Sequence, residues 1–184
     1  GVSIMSLSRA FREGLDITRI AVPYMSEIAN TAGELVYLTI PREDSVVYLE
    51  GVSPDNQRMV SKSVAGEFCK MYCTSVGKAM LANMTKEEVE NCLSGELEAY
   101  TENTITDKDK LLEEIEKTRI RGYGIDDMEI MFGIKCVGVA LLNHDGKVEG
   151  GLSISAPSLR MSDEKIELYA KILKEYAAKI QKML

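Results

Sequence analysis

The sequence has no tryptophan, a single histidine and only four prolines in 184 residues. With His144 as its one histidine, it cannot build a multi-histidine metal site, and any Ser-His-Asp or Cys-His machinery would have to pass through that residue. Four cysteines (Cys69, Cys73, Cys92, Cys136) are too few and too scattered for a small secreted disulfide scaffold, so reduced thiols and a cytoplasmic location are expected. No apolar run approaches the roughly 18–20 residues that span a bilayer, and the charged N-terminal stretch does not read as a secretory signal. Positive charge is also scarce. The 22 Lys and Arg residues against 29 Asp and Glu leave a net charge of −7, and a domain that grips phosphates is normally basic. This stretch of chain is therefore not expected to hold nucleic acid by itself. What remains, 45% hydrophobic and 28% charged, is the composition of a folded domain with one substantial core.

Periodicity organises the chain. Leu7, Phe11, Leu15 and Ile20 recur near helical spacing until Pro23, which is expected to kink or separate a second helix carrying Val22, Met25, Ile28 and Ala29 and closed by Gly33. The β-branched and aromatic runs Leu35–Ile40 and Ser45–Leu49 flank a polar turn and read as a hairpin, with a further short strand expected at Arg58–Ser63. Helices follow at Thr74–Met84, after the capping box Thr85–Glu88, and from Thr106–Asp107 to Gly122. Strands are predicted at Ile134–Leu142 and Val148–Ser155, and Ser162 is expected to cap a last helix buried through Ile166, Tyr169, Leu173, Tyr176, Ile180 and Leu184. The order implies an α+β fold with a largely antiparallel sheet, the terminal helices on one face and the middle helices on the other.

The C-terminal hairpin says most about function. If Asp145-Gly146 is a two-residue turn, Val137 faces Ile154, Val139 faces Leu152 and Leu141 faces Gly150 on an apolar side. The other side then pairs Cys136 with Ser155, Gly138 with Ser153 and Ala140 with Gly151. Small residues leave volume and hydroxyls orient what fills it, so this side reads as the floor of a small-molecule pocket, with close helix packing as the alternative. A three-residue turn would shift the register and scatter these side chains. The segment Cys73–Ala79 would cover the pocket, with the amides around Ser75 and Val76 suited to a carboxylate. Gly77-Lys78 is not a phosphate loop, because Tyr72 stands at the upstream glycine position and Ala79 follows the lysine. Asp126 and Asp127 precede the strand of Cys136, where they would either meet a ligand or brace a turn.

Several stretches resemble the IclR-type bacterial transcription regulators. They are Cys73–Ala82, Thr101–Thr106, Arg121–Glu129, Gly133–Val139 and Gly151–Pro157 with Arg160, in the family's order and spacing. The resemblance implies a GAF-like effector-binding domain with a six-stranded antiparallel sheet, following a winged helix-turn-helix and a linker helix. Residues 1–17 would then be the end of that linker and residues 18–184 the effector-binding domain. It also implies a small organic acid or aromatic effector, a homodimer or tetramer, and operator DNA contacted only through the N-terminal domain. Membrane association and a cofactor are not expected. Carried over position by position, the effector residues would be Ser75, Val76, Asp126, Cys136, Ser153 and Ser155, with Cys69 from the preceding loop. The sequence departs from the family pattern at Val76, across Phe68–Tyr72 and at Met128, which points to a narrower or more apolar pocket.

The competing chemistry is limited. GAF-like scaffolds include cysteine-based methionine sulfoxide reductases, but Cys136 lies far along its strand from His144, and no activated thiol pair is evident. Cys69, Cys73 and Cys92 lack the paired spacing of a zinc site and are expected to act as small hydrophobes. A regulatory domain rather than an enzyme is expected.

Overall fold

In the computed structural model, which describes residues 16–55 and 65–184, the first helix is α1 (Asp16–Ala32). It buries Ile17, Ala21, Met25, Ile28 and Ala29 and stops where Gly33 turns left-handed at φ 73°. The expected break at Pro23 is absent: the helix runs through it. Pro23 and Arg19, whose carbonyl loses its i+4 donor, both lie on the exposed side, and the buried stripe opposite keeps the helix whole. The expected helix over Leu7–Leu15 and the strand at Arg58–Ser63 lie outside the described residues.

The strands are β1 (Leu35–Arg42), β2 (Ser45–Val52), β3 (Phe68–Lys70), β4 (Gly124–Asp127), β5 (Ile134–Leu142) and β6 (Val148–Pro157). They form one six-stranded sheet in the order β3-β2-β1-β6-β5-β4, with every pairing antiparallel. The remaining helices are α2 (Ser75–Leu81), α3 (Lys86–Cys92), α4 (Lys108–Arg121) and α5 (Asp163–Gln181). Each starts on a side-chain cap visible in the sequence. Thr74 Oγ1 accepts from Gly77 N at 3.1 Å, and Thr85 and Glu88 close a full capping box. Asp107 accepts from Lys110 N at 2.9 Å, and Ser162 accepts from Lys165 N.

The layering follows the expected division. Helices α1 and α5 pack on Val36, Leu38, Val137, Val139, Leu152 and Ile154. Helices α2, α3 and α4 build the second core on the opposite face, around Val46, Val76, Met80, Val89, Leu111 and Ile115.

The β5–β6 hairpin keeps the expected pairs, from Cys136 with Ser155 to Leu141 with Gly150, by a different route. Its turn has three residues, not two. Gly146 N donates to the Asn143 carbonyl at 2.9 Å, Asn143 N donates to Lys147, and Gly146 is left-handed at φ 75°. That turn slips the register by one residue, so Leu142 pairs with Val148. An extra residue on β6, Glu149, then restores it by Gly150. The two irregularities cancel, and the small-residue face survives intact.

Candidate functional site

Across that face the six strands present one row of side chains. From the β3 edge inward these are Cys69, Tyr48 and Tyr37, then Ser153 and Ser155, then Cys136, with Asp126 on the far edge strand. Tyr37 pairs with Ser153 and Leu35 with Ser155, while Asp126 pairs with Cys136. Because directly opposed residues share a face, the row is continuous.

Half of the small face is a seat for α2. A Cβ on Gly138 would come within 2.6 Å of Val76 N, and one on Gly124 would collide with the Ser75 carbonyl. Gly151 is likewise filled by the Val76 side chain. Close helix packing therefore explains Gly124, Gly138 and Gly151, and it does not extend to Cys136, Ser153 and Ser155.

Beside the seat the sheet and helix part around a cavity of about 520 Å³. All seven sequence-derived residues line it: Cys69, Ser75, Val76, Asp126, Cys136, Ser153 and Ser155. The sequence reading missed its aromatic wall and its ion pair. Tyr37 and Tyr48 meet edge to face with ring centroids 5.1 Å apart. Arg160 grips buried Glu34 with two bonds, 2.7 and 2.6 Å, at the cavity wall. Extending the hairpin register from β6 onto β1 would have revealed Tyr37. No local pattern links Glu34 to Arg160, which come from opposite ends of the chain.

The thiols are quiet. Burial pushes Cys69, Cys73 and Cys136 above the ordinary thiol range, and the Cys136 thiol donates to Ser155 Oγ at 3.3 Å. Among the described residues no cluster of three or more His, Cys, Asp or Glu could hold a metal, and the Cys92 thiol is turned to the Glu43 carbonyl instead. Ser75 and Val76 sit at the cavity wall, with Val76 N packed over Gly138. However, α2 is a short helix of seven residues with little dipole, and Thr74 already takes the next amide.

Asp126 and Asp127, adjacent in sequence, part company on β4. Asp127 is exposed and pairs with Lys135 at 2.9 Å. Asp126 is 4% exposed, and burial raises its carboxyl to about 7. Its Oδ1 accepts from Glu129 N at 2.7 Å, closing a turn in which Met128 is left-handed at φ 60°. Three side chains from the loop before α4 brace that turn. Asn103 donates to the Asp127 carbonyl at 2.9 Å, Thr101 to Met128 at 2.7 Å and Thr104 to Glu129 at 2.6 Å. Behind it, the Glu129 carboxylate pairs with Lys78 Nζ of α2, with both side chains buried.

Residues 10–182 match the family described as bacterial transcriptional regulator IclR, C-terminal. The chain belongs to this family. An IclR relative, the transcriptional regulator KdgR of Escherichia coli K12, is 35% identical over 97% of this chain and 68% of its own length. The Dickeya chrysanthemi KdgR is 32% identical, and the chain spans 59% of it. Among solved structures, the Thermotoga maritima IclR is 34% identical with a TM-score of 0.91, covering 99% of this chain and 74% of its own. The C-terminal domain of E. coli KdgR, also 34% identical, superposes with a TM-score of 0.82 over 92% of this chain and 98% of that one. The IclR relatives are regulators of transcription rather than enzymes, so the chain is a regulatory domain of that type.

Proposed function

We propose that the cavity is the effector site of this domain. In this reading it takes a small organic acid or aromatic compound, and occupancy modulates operator binding by a DNA-binding portion of a longer, cytoplasmic, homo-oligomeric protein. Residues 1–17 would then link the two parts and residues 18–184 would form the sensing body. The observation that carries this reading is the cavity itself. A space of about 520 Å³ has hydroxyls on its floor, two tyrosine rings on one wall and a buried carboxyl at its edge. That combination suits a compact ligand with an apolar body and a polar end. Among the described residues no helix is long and apolar enough to cross a membrane. The alternative of thiol-based sulfoxide reduction is disfavoured by the raised, protonated thiols, because the thiolate is the reactive form.

A thermal-shift screen against small carboxylates and aromatic acids tests the reading, since a ligand that binds the native state raises its melting temperature. Changing both Ser153 and Ser155 to alanine is expected to weaken a hit by roughly 1–3 kcal/mol per lost hydrogen bond. Calorimetric affinity unchanged in the double variant would remove those serines from the site. A screen with no hit would count against an acidic or aromatic effector.

A further inference from the structure

We propose that a second cleft, at the β4 edge of the sheet, binds a small uncharged molecule through a primary carboxamide. The cleft has a volume of about 410 Å³ and lies between β4, α2, α4 and the loop that braces the turn after β4. None of its lining residues lines the effector cavity, so the inference does not depend on the effector reading.

The charges in the cleft come in pairs. Glu114 meets Arg121 at 2.6 Å, Asp127 meets Lys135 at 2.9 Å, and Glu129 meets Lys78. An ion entering here would lose hydration without finding an uncommitted counter-charge, which disfavours acids and amines alike. An uncharged occupant is left.

The deepest pair is only half satisfied. Lys78 is 1% exposed and Glu129 4% exposed. Among the described residues, Glu129 Oε1 takes the Lys78 ammonium, while Oε2 has no hydrogen-bond partner, although the Asp127 amide lies close to the carboxylate. Lys78 Nζ carries three donors and makes one hydrogen bond, to that Oε1. Such a shortfall is costly in a buried pair. The floor of the cleft thus offers an acceptor and a donor side by side, from two different groups. A carboxamide supplies the complement in one rigid plane: its NH2 would donate to Oε2 while its carbonyl accepts from Nζ.

The outer edge of β4 repeats the pattern. Arg121 Nε donates to the Tyr123 carbonyl at 2.6 Å, and Asn103 Nδ2 donates to the Asp127 carbonyl at 2.9 Å. Backbone groups alternate along a strand, so Ile125, midway between them, turns its own N–H and carbonyl to the same side. With both flanking carbonyls covered, the open edge is one residue long. That is too short for an added strand and enough for one amide group. The side chains of Ile105 and Ile125 line the cleft and would take a short apolar stem.

Titration of the isotope-labelled chain with butyramide, followed through its amide NMR resonances, tests the proposal. Binding in the millimolar range is expected for so small a ligand. Saturating shifts should appear at the Ile125 and Glu129 amides and at the Asn103 side-chain NH2. Matched titrations with butyrate and butylammonium should leave those resonances in place. Glu129→Gln should reverse the preference. Its side-chain NH2 would meet the ligand's NH2, donor against donor, and Lys78 would be left as an unpaired cation, so butyrate should bind better than butyramide. A merely structural role for Glu129 gives no such reversal. If the variant does not fold, the three wild-type titrations still decide. The proposal is overturned by no saturating shift with butyramide, by equal shifts with butyrate or butylammonium, or by shifts confined to Ser153 and Ser155 in the effector cavity. A folded Glu129→Gln chain that still prefers butyramide overturns it as well.

Discussion

Lys78→Met is expected to lower the unfolding free energy at pH 8 by about 3–5 kcal/mol, among the larger losses available in this domain. Both charged side chains of the pair are buried, and the substitution removes only the cation. Glu129 is then left with its Oε2 still without a hydrogen-bond partner and its Oε1 deprived of the ammonium. Burial already raises the Glu129 carboxyl despite the neighbouring lysine, so without Lys78 it takes up a proton more readily. The sign follows. A carboxyl held higher in the folded chain than in the unfolded one contributes stability at low pH that is lost as pH rises. The cost of Lys78→Met should therefore shrink toward pH 5. Replacing both partners, Lys78→Met with Glu129→Leu, should recover much of the loss, because an apolar pair of similar volume leaves no charge stranded. Urea melts of the two variants at both pH values check this. A double variant as unstable as the single one would show that packing, rather than the stranded carboxylate, sets the cost.

Gly138→Val should have the second large effect. The new Cβ would lie 2.6 Å from Val76 N and 2.8 Å from its Cα, and backbone atoms cannot rotate aside. Overpacking costs typically 1–3 kcal/mol, and contact with backbone puts this substitution at about 3 kcal/mol. Helix α2 must lift for the valine to fit, and α2 carries Ser75 and Val76 on the cavity wall. The variant should therefore lose both stability in a urea melt and the thermal shift given by any effector. Wild-type melting with a wild-type ligand response would mean that the seat is softer than its distances imply.

Much of this was legible before any coordinates. Caps at Thr74, Thr85, Asp107 and Ser162 are local signals, and each marks a helix start. The pocket floor was legible too, although the turn assumed for it is wrong. Asp-Gly favours a two-residue loop, and only the chain's path shows that a three-residue loop and the extra Glu149 compensate each other. Pro23 misled because a missing donor on an exposed helix face costs less than the buried stripe returns.

What stayed hidden is long-range. Glu34 finds Arg160 only after β1 lies beside β6, and Lys78 finds Glu129 only after α2 settles on the sheet. A trace of the second pair was present. Every residue of α2 is buried, and with Val76, Gly77, Ala79, Met80 and Leu81 around it, Lys78 has no solvent-facing side to occupy. The stretch Thr101–Thr106 carried the family resemblance without a reason. The reason is the turn holding Asp126, which Thr101, Asn103 and Thr104 fasten from outside.

The seat of α2 on Gly124 and Gly138 limits how the domain can respond to an occupant. Gly124 meets Ser75 and Ala79, Gly138 meets Val76, and Gly151 meets Val76 and Met80, so the contact runs along the helix rather than at one end. With backbone this close, α2 has no room to sink toward the sheet. A ligand that needed more space than the cavity offers would have to gain it by moving the helix outward as a unit.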